Sequence, residues 1–166
     1  MRIEALTNAH IVNTFDCGTP SLNNYLQLTA KKAAKKGHGK TFVLVEEENP
    51  TVLGYYTLAS GSIDSEIIPT AKSPFPIPTT LIACWAVDLK YKGQKLGKKL
   101  LRDAFHKIYE SSKTIASHAI VLDALSEDAK AIYQKYGFQE LKDGEFHLYL
   151  PMSQVAKLLE DPPSRS

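Results

Sequence analysis

A short turn with one glycine and several lysines carries the residue types best suited to binding an anion. It spans residues 88–96 and contains Gly93. The run before it, residues 82–87, is almost wholly apolar, which is typical of a buried strand. The stretch after it, residues 96–109, has apolar side chains at helical spacing on one side and basic ones on the other. The sequence therefore predicts a strand, a glycine turn and an amphipathic helix.

The start of such a helix suits phosphate. Its first backbone N–H groups have no partner within the helix, and they lie at the positive end of the helix dipole. Three lysines in and after the turn would add positive charge: Lys92, Lys95 and Lys98. The turn has neither the GxGxxG nor the GxxxxGK[ST] pattern. These residues alone indicate a phosphate-bearing ligand of unspecified kind, and a packed connection with solvated lysines is the alternative.

Two motifs in the chain resemble those of one enzyme family. Residues 86–101, AVDLKYKGQKLGKKLL, resemble the motif Q/R-x-x-G-x-G/A of the GCN5-related N-acetyltransferases, and residues 129–138, AKAIYQKYGF, resemble that family's A-x-x-x-Y-x-x-x-G-F. Their order and separation both fit. Residues 15–23 and 54–62 resemble the toxin branch of the family, which acetylates aminoacyl-tRNA. The resemblance covers about residues 15–150.

The resemblance implies a fold and a cosubstrate. The fold is α/β, a single-domain mixed β-sheet with helices on both faces, over residues 1–160. The cosubstrate is acetyl-coenzyme A, with its pyrophosphate at residues 92–98 and its pantetheine beside the strand before the turn. The cofactor-binding residues implied are Trp85, Ala86, Val87, Lys92, Gly93, Gln94, Lys95, Leu96, Gly97, Lys98, Ser126 and Tyr133.

The resemblance also implies two catalytic groups. The backbone N–H of Val87 would stabilise the carbonyl oxygen as it gains negative charge. Tyr133 would be the general acid, because a phenol is a reasonable proton source for a departing thiolate. Tyr136, three residues on in the same predicted helix, is the alternative acid. Ser126 stands where relatives often have an asparagine that contacts the cofactor, and it could instead only cap the helix.

The chain departs from the family motif at two positions. Lys92 replaces the first Gln or Arg, and Lys95 replaces the middle glycine, so that only Gly97 remains of the pair. A lysine still donates its backbone N–H. If Lys95 must adopt a positive φ, it is more strained there than glycine.

The acceptor implied by the toxin branch is the α-amine of an aminoacyl-tRNA, whose acetylation halts translation. An α-amino group has a pKa near 8, so about a tenth of it is already neutral at pH 7 without a strong protein base. Basic residues near the turn and on an earlier helix would contact the tRNA: Lys99, Arg102 and Lys36. No motif places any of the five histidines, or Asp88 or Asp123, as a base.

Relatives in the toxin branch imply a homodimer and a small ribbon-helix-helix antitoxin as partners. Two alternatives remain from the residues themselves. One is an acetyltransferase for a small amine or a protein N-terminus. The other is an acyl-coenzyme A module without catalysis, motivated by Lys92 and Lys95.

Composition places the chain among ordinary globular proteins. It has 166 residues, 43% hydrophobic and 23% charged, with a formal net charge of +2. No apolar run reaches the roughly 20 residues that span a membrane, and the first residues lack the apolar core of a signal peptide. Cys17 and Cys84 form no metal-ligand spacing, and we expect no metal. These features predict a cytoplasmic protein without membrane contact.

Periodicity and turn residues predict the remaining elements. Residues 2–6, 41–46, 52–62, 80–87 and 119–122 are predicted strands, and a hairpin is predicted over 138–150 because of Asp143-Gly144. Residues 8–14 are predicted to form a short helix, Ser21 to cap a helix ending near Gly37, and residues 153–159 to form a last helix. Residues 161–166 are predicted to be a disordered tail.

Overall fold

The computed structural model describes residues 1–69 and 72–160. Within these residues, seven strands form a mixed sheet in the order β1-β2-β3-β4-β5-β7-β6. The strands are β1 Arg2–Ala5, β2 Lys40–Glu46, β3 Asn49–Ile63, β4 Ile77–Val87, β5 Ala119–Asp123, β6 Gln139–Leu141 and β7 Gly144–Pro151. The helices are α1 Pro20–Asn24, α2 Ala30–Lys35, α3 Leu96–Ser112, α4 Glu127–Lys135 and α5 Met152–Glu160. The predicted fold class is confirmed.

The described chain divides into two compact units. The first contains residues 1–59 and 82–104. In it β1, β2 and β3 form an antiparallel ladder, with Ile3 opposite Leu44 and Phe42 opposite Tyr56. Successive strand residues point to opposite faces. Val43 and Tyr55 therefore pack with helix residue Leu26 in one apolar cluster, whereas Leu44 and Tyr56 pack with Leu100 of α3 in another. Helices thus cover both faces of this part of the sheet.

The second unit contains residues 60–81 and the described residues from 105 onward. Thr79–Leu81 of β4 pair in parallel with β5, β5 pairs antiparallel with β7, and β6 and β7 form the predicted hairpin. Its apolar cluster includes Ile68, Ile77, Val121 and Tyr149. The helix α4 in this unit carries the predicted catalytic tyrosine.

Two predictions about the N-terminal region are wrong. Residues 8–14 form turns rather than a helix, because Ile11 bridges to Thr51 of β3: its N–H bonds to the Pro50 carbonyl oxygen and its own carbonyl oxygen accepts from Val52. The next helix begins after Thr19, with Pro20 at its first position, so that Ser21 does not cap it. Proline suits that position, since the N–H it lacks has no partner there.

The helix predicted between Ser21 and Gly37 is interrupted. α1 and α2 are joined by a five-residue π-helical segment, Tyr25–Thr29, which buries Leu26. The strands and the longer helices agree with prediction to within a few residues. The predicted tail, residues 161–166, lies outside the described residues, as do Thr70 and Ala71. No helix in the described parts of the chain is long and apolar enough to cross a membrane.

Candidate active site

The turn predicted to bind phosphate, residues 88–96, joins β4 to α3, as the sequence predicts. A 3-10 turn, Leu89–Tyr91, follows the strand, and α3 begins at Leu96. The first turn of α3 has a hydrogen bond from the Lys99 N–H to the Lys95 carbonyl oxygen. In a helix that starts this way, the N–H groups of Leu96, Gly97 and Lys98 have no partner in the helical ladder. They form the helix N-terminus at which an anion is favoured.

The turn is fixed by Asp88, which the sequence offered only as a possible base. The Asp88 carboxylate is buried and accepts hydrogen bonds from the backbone N–H of Lys90 at 2.9 Å and of Asp16 at 3.1 Å. The Asp16 carbonyl oxygen in turn accepts from the Leu89 N–H at 2.9 Å. Because both Asp88 oxygens accept hydrogen bonds from backbone N–H groups, this carboxylate caps and positions the turn.

The loop that holds this turn is itself ordered by Asp16 and Asn23. One oxygen of Asp16 accepts from the Gly18 N–H and from the Asn23 side-chain amide, both at 2.9 Å. The Asn23 oxygen accepts from the Cys17 N–H at 2.9 Å. These hydrogen bonds lower the pKa of the Asp16 carboxyl, with Asn23 the larger cause and Gly18 the second. Residues 15–23, which show part of the family resemblance, thus form an ordered loop that is hydrogen-bonded to the turn at residues 88–96.

Lys95 adopts a left-handed backbone conformation, with φ +61°. It is the one non-glycine residue with positive φ among the described residues, and Gly93 nearby has φ +82°. The family motif has glycine at the Lys95 position, and a left-handed conformation costs an L-residue about 1–2 kcal/mol. The turn therefore places a lysine in a backbone conformation that glycine adopts without this strain. The side chains of Lys92, Gln94, Lys95 and Lys98 are exposed, whereas Leu96 is buried.

Gly97 permits a close approach between α3 and Trp85. The indole Nε1 of Trp85 donates to the Gly97 carbonyl oxygen at 2.9 Å. A Cβ added at Gly97 would lie 3.2 Å from Cζ2 of the same ring. The Trp85 side chain is half-buried and packs with Val87 and Leu96 in the cluster beneath α3. The structure thus gives Trp85 a packing and positioning role at the first turn of the helix.

The backbone N–H of Val87 is directed away from β3. The next N–H, that of Asp88, bonds to the Leu53 carbonyl oxygen at 2.8 Å. Successive strand residues direct their N–H groups to opposite sides. The Val87 N–H therefore does not bond to β3, and an oxyanion donor must be free in this way.

Gly54 lets α3 and β4 pack close to β3, since a Cβ there would lie 2.7 Å from Leu100 and 3.0 Å from the Ala86 carbonyl oxygen.

The second unit holds the other predicted catalytic group on α4. Ser126 caps this helix, its hydroxyl accepting from the Ala129 N–H at 3.1 Å. Tyr133 is buried, and its ring meets that of Phe138 edge-on at 5.6 Å. Tyr136 packs its ring edge-on against Phe105 at 5.8 Å, and burial raises the pKa of its phenol. The structure confirms the capping role of Ser126. It leaves the cofactor contact a prediction.

Two of the five histidines each lie beside an acidic side chain. Nδ1 of His10 accepts from the Thr7 N–H at 3.0 Å, and its Nε2 lies 3.0 Å from Glu4. His147 Nδ1 lies 2.9 Å from Asp143. Within residues 1–69 and 72–160, no cluster of three or more His, Cys, Asp or Glu side chains could hold a metal ion.

The exposed basic residues predicted to contact nucleic acid lie in the first unit. Lys99 and Arg102 project from α3, on the side opposite its buried leucines, and Lys36 is the C-cap that follows α2. Lys98, Lys99 and Arg102 are all exposed within about one turn of the predicted phosphate site.

Residues 37–140 match the family model described as "Acetyltransferase (GNAT) domain". The chain belongs to the GNAT acetyltransferase family, and its predicted enzyme class is thereby confirmed. It is 33% identical over 159 residues to the "tRNA-acetylating toxin" of Mycobacterium tuberculosis (strain ATCC 25618 / H37Rv), covering 94% of this chain and 95% of that one.

Solved structures of the toxin AtaT are also similar. AtaT complexed with acetyl-methionyl-tRNAfMet has a TM-score of 0.87 and 26% identity, covering 95% of this chain and 98% of that one. A tyrosine-to-phenylalanine variant of AtaT, bound to the C-terminus of the antitoxin AtaR and to acetyl-CoA, has a TM-score of 0.82 and 25% identity, covering 95% and 97%.

Proposed function

We propose that this chain transfers an acetyl group from acetyl-coenzyme A to the α-amine of an aminoacyl-tRNA and acts as a toxin by blocking translation. The observation that carries the proposal is the similarity, over nearly the full length of both chains, to a tRNA-acetylating toxin and to AtaT with acetyl-methionyl-tRNA. The comparisons do not favour a small-amine substrate or a non-catalytic module.

The first unit has groups that fit the pyrophosphate of acetyl-coenzyme A. The N–H groups of Leu96, Gly97 and Lys98 are outside the helical ladder, and exposed lysines surround them. Gly93 and Lys95 supply the two positive-φ positions that shape the turn. When bound, the cosubstrate supplies an activated acetyl thioester. Its pantetheine lies beside Trp85–Val87 in this proposal.

Two groups of the chain carry the chemistry in this proposal. The Val87 N–H donates a hydrogen bond to the acetyl oxygen as negative charge develops there, supported by its direction away from β3. The Tyr133 hydroxyl supplies the proton that the leaving thiolate takes up, supported by its position in the family motif. Asp88 and Asn23 act through the backbone, since they fix the turn and its loop.

The exposed basic face of α3 is proposed to hold the tRNA. Lys99 and Arg102 lie on the same helix whose N-terminus binds the cosubstrate, and Lys36 extends the positive charge on α2. Binding through these residues should weaken with salt, because each phosphate contact releases counterions.

We further propose a cytoplasmic homodimer whose activity a small ribbon-helix-helix antitoxin neutralises, with residues 1–160 as the acetyltransferase domain. The AtaT structure with the C-terminus of its antitoxin supports the antitoxin partner. The homodimer and the ribbon-helix-helix type are what the resemblance to the toxin branch implies. Ser126 is retained as a candidate cofactor contact as well as a helix cap.

The central experiment incubates the protein with radiolabelled acetyl-coenzyme A and charged total tRNA, with uncharged tRNA as the control. We expect label on the charged tRNA only. Label on polyamines or on protein, or label on uncharged tRNA, would contradict the acceptor. Absence of transfer to any acceptor would contradict catalysis.

The tRNA surface is tested by reversing charge. Lys99→Glu combined with Arg102→Glu should lower tRNA acetylation at least tenfold while changing acetyl-coenzyme A affinity less. The matched control is Lys142→Glu combined with Lys157→Glu, which makes the same change in net charge on exposed residues of the other unit. Equal effects of the two pairs would mean that only net charge matters.

A further inference from the structure

One buried charge has no part in the chemistry proposed above. Lys130 lies on α4, and its side chain exposes only 9% of its surface. Lysine is rarely buried without a partner, because removing its ammonium group from water is costly. Its Nζ lies 3.4 Å from Oε1 of Glu140 in β6 and 5.4 Å from the centre of the Phe146 ring in β7. The ammonium group therefore contacts both strands of the β6–β7 hairpin.

Lys130 and Tyr133 share one face of α4. Residues three apart on a helix are neighbours on its surface, and both of these side chains are buried. The Tyr133 ring meets that of Phe138 edge-on, with 5.6 Å between the ring centres, and Phe138 directly precedes β6. The Phe138 N–H also bonds to the Tyr133 carbonyl oxygen at 3.3 Å. This helix face thus meets residues 138–140 at two points, one of which is the ring of the predicted general acid.

Two points of contact restrain a helix more than one does. With the contact between Tyr133 and Phe138 alone, α4 could still turn about its axis or shift at its N-terminal end against the hairpin. The ion pair of Lys130 lies one turn nearer the start of the helix, about 4.5 Å along its axis, and restrains both movements. The place of the Tyr133 hydroxyl depends on them, and a misplacement of about 1 Å can cost about a hundredfold in rate.

We propose that Lys130 is a positioning residue, which fixes the Tyr133 hydroxyl through its ion pair with Glu140 and its contact with Phe146. The inference rests on the role proposed for Tyr133 and adds the group that sets the place of that side chain. It is independent of the acetyl acceptor. Glu140 exposes 49% of its side chain, so the pair can also be broken from its solvent side.

Lys130→Met removes the charge and leaves no unpaired ion in the buried position. We expect native circular dichroism, an unchanged affinity for acetyl-coenzyme A in calorimetry, and a kcat lower by at least about tenfold. Lys130→Arg keeps the positive charge and its attraction to an aromatic ring, and should retain most of the kcat. The parent's kcat in the methionine variant, or an arginine variant no better than methionine, would overturn the proposal.

Glu140→Gln breaks the same pair without changing the buried side chain, and serves also if Lys130→Met fails to fold. It leaves the ammonium group unpaired, so it should lower both the free energy of unfolding and kcat. The matched control is Glu145→Gln, which removes an exposed carboxylate from the same hairpin and should leave both unchanged. Equal kcat values in these two variants would contradict a role for the pair.

A double variant tests whether Lys130 acts through Tyr133. Lys130→Met should then cost at least about tenfold in kcat in the parent protein and almost nothing in Tyr133→Phe, which has no hydroxyl to place. The same loss in both backgrounds would overturn the proposed route.

Hydrogen exchange separates this inference from the proposed function. Lys130→Met should speed exchange of the backbone amides of α4 and leave that of β5 unchanged, because only the helix loses a restraint. Unchanged exchange in α4 would overturn the positioning role whether or not the protein is active. If α4 responds as expected but the parent protein transfers acetyl to no acceptor, the restraint on α4 is supported and the proposed function is wrong.

Discussion

The Trp85 indole donates to the Gly97 carbonyl oxygen at 2.9 Å, and a Cβ added at Gly97 would lie only 3.2 Å from Cζ2 of the same ring. A side-chain hydrogen bond thus joins strand β4 to the first turn of α3, where we propose that the pyrophosphate of the cosubstrate binds. Gly97 permits this packing because a Cβ at that position would be crowded by the ring.

Changing Gly97 should separate packing from charge. Gly97→Asp and Gly97→Asn add nearly the same volume against the Trp85 ring, and only aspartate adds negative charge at the helix N-terminus. We expect both to weaken acetyl-coenzyme A binding in calorimetry, the aspartate variant at least tenfold more. Equal affinities in the two variants would show that no phosphate lies near Gly97.

Relieving the strain at Lys95 should stabilise the protein. Lys95→Gly removes a Cβ from a residue with φ +61°, and part of the gain is offset by the greater freedom of glycine in the unfolded chain. We expect a net gain of about 0.5–1 kcal/mol in the free energy of unfolding, measured by urea denaturation. Lys95→Ala removes the same charge and keeps the Cβ, so it should show no such gain. If alanine stabilises as much as glycine, the effect is one of charge.

Removing the Tyr133 hydroxyl should slow turnover. Tyr133→Phe keeps the ring that packs edge-on against Phe138, so folding and cosubstrate affinity should be nearly unchanged. The expected loss in kcat is about a hundredfold or more, the range for a general acid. Tyr136→Phe, on the same helix, is the matched control and should keep most of the activity. The reverse result would assign the acid to Tyr136.

The loop around Asp16 should make stability depend on acid pH. Hydrogen bonds from Asn23 and Gly18 lower the pKa of the Asp16 carboxyl in the folded state. Such a group contributes stability above its unfolded pKa of 3.8, and that stability is lost as the pH falls through the lower folded pKa. Asp16→Asn cannot titrate. The difference in urea midpoint between the two proteins should therefore shrink between about pH 6 and about pH 3. A constant difference over that range would exclude Asp16 as the cause.

The sequence by itself determined where the turn at residues 88–96 lies, because an apolar strand, a glycine turn and an amphipathic helix are local patterns. The fold class followed from the resemblance of two motifs to those of the acetyltransferase family. The sequence also identified Lys95 as the residue that would be strained. Ser126 was found as a helix cap because capping involves only neighbouring residues.

Tertiary structure alone decided which groups brace the turn. Asp88 and Asp16 are 72 residues apart in sequence, and no local pattern links a carboxylate to a distant backbone N–H. The predicted helix over residues 8–14 failed for the same reason, since the bridge between Ile11 and Thr51 outweighs a weak local preference.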